Sequence, residues 1–326
     1  KGYYCSGCEA FITEKDLEDG KCTIHKKEPE LVEEENYFFK LSKYQDQIKK
    51  LIESDEYQVV PATRKNEVLA FIDQGLEDVS FSRPKEKLEW GVPVPGDDSQ
   101  TMYVWADALS NYISALGYPD GEKFKKYWPA DVHVVGKDII RFHALIWPAM
   151  LLSLGLELPK TLFVHGFITV DGQKMSKSIG NVIDPFDLIE RYGVDAVRYF
   201  FLREVPPSED GDFSYEKFET RYNADLASGL GNLVARVLTL AKKEELSIPE
   251  KFNNQDLERI VQTVKEKTDI SLEEFRFNDA LVAAWDIIHF CDKYIEEKRP
   301  WEESPEQKEV LGDLLLTISN IAAILE

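Results

Sequence analysis

Residues 161–167, Thr-Leu-Phe-Val-His-Gly-Phe, are followed after a short gap by Lys174-Met175-Ser176-Lys177-Ser178-Ile179-Gly180-Asn181. The first run is rich in β-branched and aromatic residues and short, as a buried strand is; the second is a loop carrying Gly and two Lys. The same order recurs upstream. Thr101–Trp105 leads into a helical pattern at Asp107–Leu116, and Val132–Val135 leads into another at Asp138–Leu152. Strand–helix alternation of this kind predicts a parallel sheet with right-handed crossovers. The two lysines then stand at the carboxyl edge of that sheet, where such sheets bind ligands. Cations there neutralise charge that builds on a triphosphate during attack at its α-phosphorus. For a bare Lys-x-x-Lys, an ordinary solvated basic loop is the competing reading.

Outward from this core the pattern changes twice. Past about residue 206 strands are expected to stop, and helical patterns broken at Pro249 and Pro300 predict a separate all-helical bundle. Residues 36–83 mix helical periodicity (Tyr44, Ile48, Leu51, Ile52) with connecting segments, and residues 1–35 are too polar and short for a core of their own. The expected division is 1–83, with its cysteine-bearing part at 1–35, then 84–205, then 206–326.

A length of 326 residues suits two or three domains. No apolar run approaches a membrane span, so no membrane partner is expected. Only four cysteines are present, three of them in the first 22 residues, which argues against a disulfide scaffold and for a reducing, cytoplasmic setting. Taken as a global sum, the formal charge of -21 opposes nucleic-acid binding. Binding depends on local fields, however, and Arg221, Arg236, Lys242 and Lys243 stand in one stretch against the single acid Asp225 until residue 243.

Cys5-x2-Cys8-x13-Cys22-x2-His25 supplies three sulfurs and an imidazole in two tight pairs, the spacing that tetrahedral zinc demands. Four protein ligands leave no open position, so one structural Zn2+ per chain is expected; chance clustering of thiols is the alternative. On the 139–147 segment, Ile139, Phe142, His143, Ile146 and Trp147 are spaced three and four apart and would share a helix face. That face is either plain core or a pocket, and an aromatic pocket suits a flexible thioether, each sulfur–aromatic contact being worth ~0.3–1.5 kcal/mol. In the helical third, Leu226, Leu230, Leu233, Val234 and Val237 form an apolar stripe, while Asn232 and Arg236, four apart, neighbour each other on another face. Trp301, after Pro300, is either a core ring or a platform for an unstacked base.

Lys174-Met175-Ser176-Lys177-Ser178 matches the KMSKS signature of class I aminoacyl-tRNA synthetases in all five letters, and Gly180 and Asn181 continue it. The segments Asn36-Tyr37-Phe38-Phe39, Leu41-Ser42-Lys43-Tyr44, Trp90-Gly91-Val92-Pro93-Val94-Pro95, Tyr103-Val104-Trp105-Ala106-Asp107-Ala108 and Gly136-Lys137-Asp138-Ile139-Ile140-Arg141-Phe142-His143, ending in Trp147-Pro148, narrow the resemblance to the methionyl-tRNA synthetases, of the single-zinc-knuckle bacterial type. The resemblance runs essentially from residue 1 to residue 326.

It implies an α/β protein: the second half of a Rossmann-type parallel sheet carrying the KMSKS loop (84–205), a connective peptide with a zinc knuckle (1–83), and an incomplete α-helical anticodon-binding domain (206–326). The implied function is a methionine-tRNA ligase, which activates methionine with ATP and Mg2+ to methionyl-adenylate and transfers it to tRNA(Met). Lys174 and Lys177 are the implied catalytic cations. Lys177, Gly136 and Asp138 are the implied nucleotide contacts, and Trp105, Ala108, Tyr112, Ile139, Phe142, His143 and Trp147 the methionine pocket. Asn232, Arg236 and Trp301 are the implied anticodon readers.

None of the five histidines lies in the HIGH-type motif that the class also needs. The expectation is therefore a portion of a longer enzyme, partnered by the missing N-terminal half of the same protein and inactive alone. A tRNA-binding module without catalysis and another class I synthetase are the rival readings. The intact lysine loop and the methionine-type pocket disfavour the first, and the closed, peripheral cysteine site disfavours the second.

Overall fold

The strand expected at 161–167 forms as Thr161–His165, flanked by Val132–Gly136 on one side and by Gln58–Val60 on the other, the last in parallel register with Leu162 opposite Val59. Thr161–Val164 are all buried, as a strand covered on both faces requires. Gln58–Val60 is only three residues long, too short for its alternation to show in the sequence. The computed structural model describes residues 2–7, 10–12, 16–24, 26–175 and 180–326, with the backbone alone at 10, 11 and 174. These fall into two units, Lys1–Val164 and His165–Glu326.

In the first unit the helices Gln45–Glu53 and Ala62–Asp73 bury Ile48 with Ile52 and Val68 with Ile72, pairs four apart on one face. They share a core with Leu162, Val164, Val135 and Leu145. Short antiparallel strands, Gly2–Cys5 between Ala10–Ile12 and Glu30–Val32, make the polar amino-terminal part, with a hairpin of Leu17–Glu18 and Lys21–Cys22 turning through Asp19 and Gly20 at positive φ.

Two expectations need correction here. Thr101–Trp105 is not a strand of the parallel sheet. The strand is Asp97–Met102, antiparallel to Pro93–Val94 and Ser82–Pro84, and Val104 and Trp105 already open the helix Val104–Ser114. The β-branched and aromatic run across 101–105 concealed a strand end, and burial of Ala106, Leu109 and Ile113 at helical spacing decides the local structure. Nor is Asp138–Leu152 one regular helix. A 3-10 turn, Lys137–Ile139, and a π-helical turn, Phe142–Ile146, precede the α-helix Trp147–Leu154. The Trp147 N–H bonds the carbonyl of Phe142, five residues back, and Pro148 has no N–H with which to continue an α-ladder.

The second unit opens with the hairpin Ile168–Val170 and Gln173–Lys174, joined by Asp171 and Gly172, both at positive φ as a two-residue primed turn demands. Strands do not stop at 206: Gly211–Phe213 pairs in parallel with Ile168–Val170. The strand is three residues long, and the backbone that leads into it passes Gly166, where a Cβ would lie 2.0 Å from the Glu209 carbonyl oxygen. Every later element is helical, and Leu233, Val237, Leu257, Val261, Ile287, Ile288 and Leu314 form the common core of those from Asn232 onward. Asn254 caps the helix Gln255–Glu273 by accepting from the N–H groups of Asp256 and Leu257. The helix Phe277–Lys298 ends at Arg299 in the left-handed region, directly before Pro300, so that break falls where the sequence placed it.

Candidate functional site

Trp105, Ala108 and Tyr112 lie three and four apart on the Val104–Ser114 helix, on a half-buried flank beside its buried Ala106, Leu109 and Ile113. Facing them is the turn that leaves the carboxyl end of Val132–Gly136. The Trp105 and Phe142 rings stack with centroids 4.0 Å apart at 12°, and the His143 ring meets Trp105 edge-on at 6.0 Å. His143 Nδ1 lies 3.0 Å from the Ile139 carbonyl, which only accepts; Nδ1 therefore carries the proton and Nε2 is the acceptor. The Tyr112 hydroxyl, 3.0 Å from Nε2, is then the donor. Behind His143, the fully buried Tyr57 donates its hydroxyl to the His143 carbonyl at 2.8 Å. Burial lowers the His143 pKa, against the opposing pull of the Ile139 hydrogen bond.

The expected pocket residues are thus one cluster of rings and imidazole, with Ile139 contributing its carbonyl. Sequence reasoning passed over a further histidine. His133 alternates with Val135 on the inward face of the Val132–Gly136 strand, accepts from the Trp147 indole N–H at 3.3 Å, and lies ring to ring with Tyr112 at 4.3 Å. Its period-two placement beside a buried valine was the available signal. Burial, with His143 close by, pushes its pKa down to about 4. Both imidazoles are consequently neutral at physiological pH. Gly136 ends that strand, and Asp138 is exposed in the turn that follows, at the carboxyl edge of the sheet.

In the second unit Lys174 ends its strand, while Lys177 lies outside the described residues. The hairpin leading there is tied by Asp212, another residue the sequence did not single out. Its carboxylate accepts from Gly172 N–H at 2.7 Å and from the Thr169 hydroxyl at 2.8 Å, with Lys217 at 3.3 Å. The Gly172 N–H bond, the largest influence, holds that carboxyl below its ordinary pKa. Arg236 and Trp301, sixty-odd residues apart in sequence, do meet: the guanidinium stands 5.9 Å from the indole centroid and pairs with Glu296 at 3.0 Å. Trp301 is 45% exposed, and Asn232, exposed, lies one turn before Arg236. The basic stretch is more neutral than its composition implied, since Arg221 is also paired, with Glu204 and Asp225.

Of the four metal-ligand candidates, Cys8 and His25 lie outside the described residues. Cys5 and Cys22 are each 1% exposed and belong to none of the apolar clusters. Deep thiols in a polar module of two- to four-residue strands are what a metal-stapled module requires.

A parallel sheet with helices and a site at its carboxyl edge is, in this chain, the class I tRNA synthetase fold. The structure matches that of Mycobacterium tuberculosis methionyl-tRNA synthetase bound by methionyl-adenylate, with TM-score 0.90 and 39% identity over 99% of this chain and 66% of that one. The chain belongs to the family described as tRNA synthetases class I (M), which matches residues 1–238. It is 49% identical to the methionine–tRNA ligase of Caldanaerobacter subterraneus subsp. tengcongensis over 308 residues, 92% of this chain and 48% of that protein. The Thermotoga maritima methionine–tRNA ligase is 45% identical, again over 92% of this chain and 49% of its own length. The chain spans about half the length of these curated relatives.

Proposed function

We propose that the chain is the part of a methionine-tRNA ligase that holds the methionine side chain, the lysine loop and the anticodon contacts. The observation that carries this reading is the Trp105–Phe142 stack beside the Tyr112–His143 hydrogen bond. Stacked rings and two neutral imidazoles form an apolar, polarisable wall suited to a thioether and hostile to a charged side chain. Trp105, Ala108, Tyr112, Ile139, Phe142, His143 and Trp147 bound the methionine side chain. Gly136 and Asp138, at the sheet edge, take the ribose side of ATP. The methionine carboxylate attacks the α-phosphorus of Mg2+-bound ATP, the bond to the pyrophosphate breaks, and methionyl-adenylate forms. Lys174 and Lys177 stabilise the charge that gathers on the phosphates in that transition state. The tRNA(Met) terminal hydroxyl then displaces AMP from the adenylate.

Asn232, Arg236 and Trp301 read the anticodon, with residues 206–326 as the helical domain that presents them, 84–205 as the catalytic sheet half and 1–83 as the connective peptide. Cys5, Cys8, Cys22 and His25 would hold one structural Zn2+, which supplies a fold-stabilising cross-link and no step of the reaction. Among the described residues no helix is long and apolar enough to cross a membrane, and we assign the enzyme to the cytoplasm.

The test is methionine-dependent ATP–pyrophosphate exchange by an enzyme of the relatives' full length that carries this chain. Lys177→Ala should lower the rate at saturating methionine by roughly a hundredfold, the usual size for a lost transition-state contact, while methionine affinity barely moves. Full rate in that variant would remove the lysine loop from the mechanism.

A further inference from the structure

The two donors of the aromatic wall are each tied by a neutral imidazole. His143 takes the Tyr112 hydroxyl and His133 takes the Trp147 indole N–H. Tyr112 is held from more than one side: its hydroxyl by His143, its ring by His133 at 4.3 Å, and Trp147 at 5.9 Å. Trp147 is fully buried, so its N–H has no water to fall back on if His133 is lost. Trp128 adds a ring 6.3 Å from His133 and an edge-on contact with Trp147 at 6.0 Å. A donating Nε2–H on His133 would oppose the Trp147 N–H, so only the neutral ring with its proton on Nδ1 completes the arrangement.

We propose that His133 is a positioning residue for substrate selection: by accepting the Trp147 N–H and bracing the Tyr112 ring, it fixes the two aromatic side chains that shape the thioether pocket. The inference rests on the reading that this cluster holds the methionine side chain. His133 does not touch the substrate. It acts through Trp147 and Tyr112, and its loss widens the pocket without disturbing the phosphate chemistry.

The experiment measures KM for methionine and for ATP, and kcat, in ATP–pyrophosphate exchange by the full-length enzyme carrying this chain. The variants are His133→Leu, which removes the acceptor, and His133→Gln, whose amide oxygen reaches about where Nε2 stands. His133→Leu should raise the methionine KM roughly tenfold, the size of one buried donor left unmade, with kcat and the ATP KM within about twofold. His133→Gln should recover most of that loss. In a Trp147→Phe background, where no indole N–H remains, His133→Leu should cost little further, because the two residues act through one bond. Additive losses in that cycle, or equal effects of Leu and Gln, overturn the proposal; should His133→Leu fail to fold, His133→Asn, whose shorter amide stops about where Nδ1 stands and leaves the indole N–H without its acceptor, takes its place in the cycle and in the comparison with Gln. Trp105→Ala separates the two levels of the argument. If it leaves the methionine KM unmoved, the pocket reading itself fails. If it raises that KM while the His133 variants do not, only the positioning role fails.

Discussion

At the scale of single residues, the site is a set of hydrogen-bond directions. One carbonyl, that of Ile139, settles the His143 tautomer, and the tautomer makes Tyr112 a donor. The residue types at 142, 143 and 147 were legible in the sequence because they recur at helical spacing, whereas those at 105 and 112 were legible only through the family resemblance. The bonding was not legible, since a tautomer depends on which carbonyl the fold brings near. His133 escaped for the same reason: on a strand, its only sequence mark is alternation with Val135. Its depressed pKa has a consequence for stability. Between its ordinary 6.5 and about 4, an unfolded chain takes up a proton that the native imidazole refuses. Stability is therefore full above 6.5, falls as pH drops through this window, and levels off below it, His133 contributing roughly 3 kcal/mol. His143 acts in the same direction. Urea unfolding at about pH 7 and about pH 4.5 should show the loss, and His133→Gln should make it shallower. An unchanged loss in that variant would mean that His133 is not held neutral by the fold.

Elements were read well where they are long and poorly where they are short. The helices from Asn232 onward follow from periodicity and their breaks, whereas Gln58–Val60 and Gly211–Phe213 are three residues each and owe their pairing to partners far along the chain. Gly166 shows what fixes the second of these: the Glu209 backbone approaches too closely for any side chain. The strand expected at Thr101–Trp105 failed because residue preference does not mark where a hairpin strand hands over to a helix. On the proposed reading, a zinc staple rather than an apolar core holds the amino-terminal strands. With Cys5 and Cys22 buried outside any apolar cluster, the module of residues 1–35 should lose its structure when zinc is removed. Hydrogen exchange before and after strong chelation should show protection at Gly2–Cys5 and Glu30–Val32 lost, and restored by one zinc per chain. Protection that survives complete zinc removal would contradict the metal staple.

For the whole molecule, a net charge of -21 and an RNA partner are compatible because recognition needs a local arrangement more than a global sum. On the proposed anticodon reading, Arg236 beside the half-exposed Trp301 is such an arrangement; Glu296 pairs with the guanidinium at 3.0 Å. Trp301→Ala should raise the tRNA dissociation constant by about five- to 150-fold, the range of ~1–3 kcal/mol for one base–aromatic stack. Methionine-dependent pyrophosphate exchange should be unchanged; an unaltered dissociation constant would leave Trp301 as ordinary surface. The family was legible in the sequence from end to end, through motifs whose chemistry the structure partly displays. What most directly tests the central claim is amino-acid-dependent ATP–pyrophosphate exchange by the full-length enzyme carrying this chain, run with methionine, leucine, isoleucine, valine and cysteine in turn. The account predicts exchange with methionine, and with the others lower by roughly a hundredfold or more, as a pocket built for one side chain achieves. Equal or faster exchange with any of the other four would contradict it.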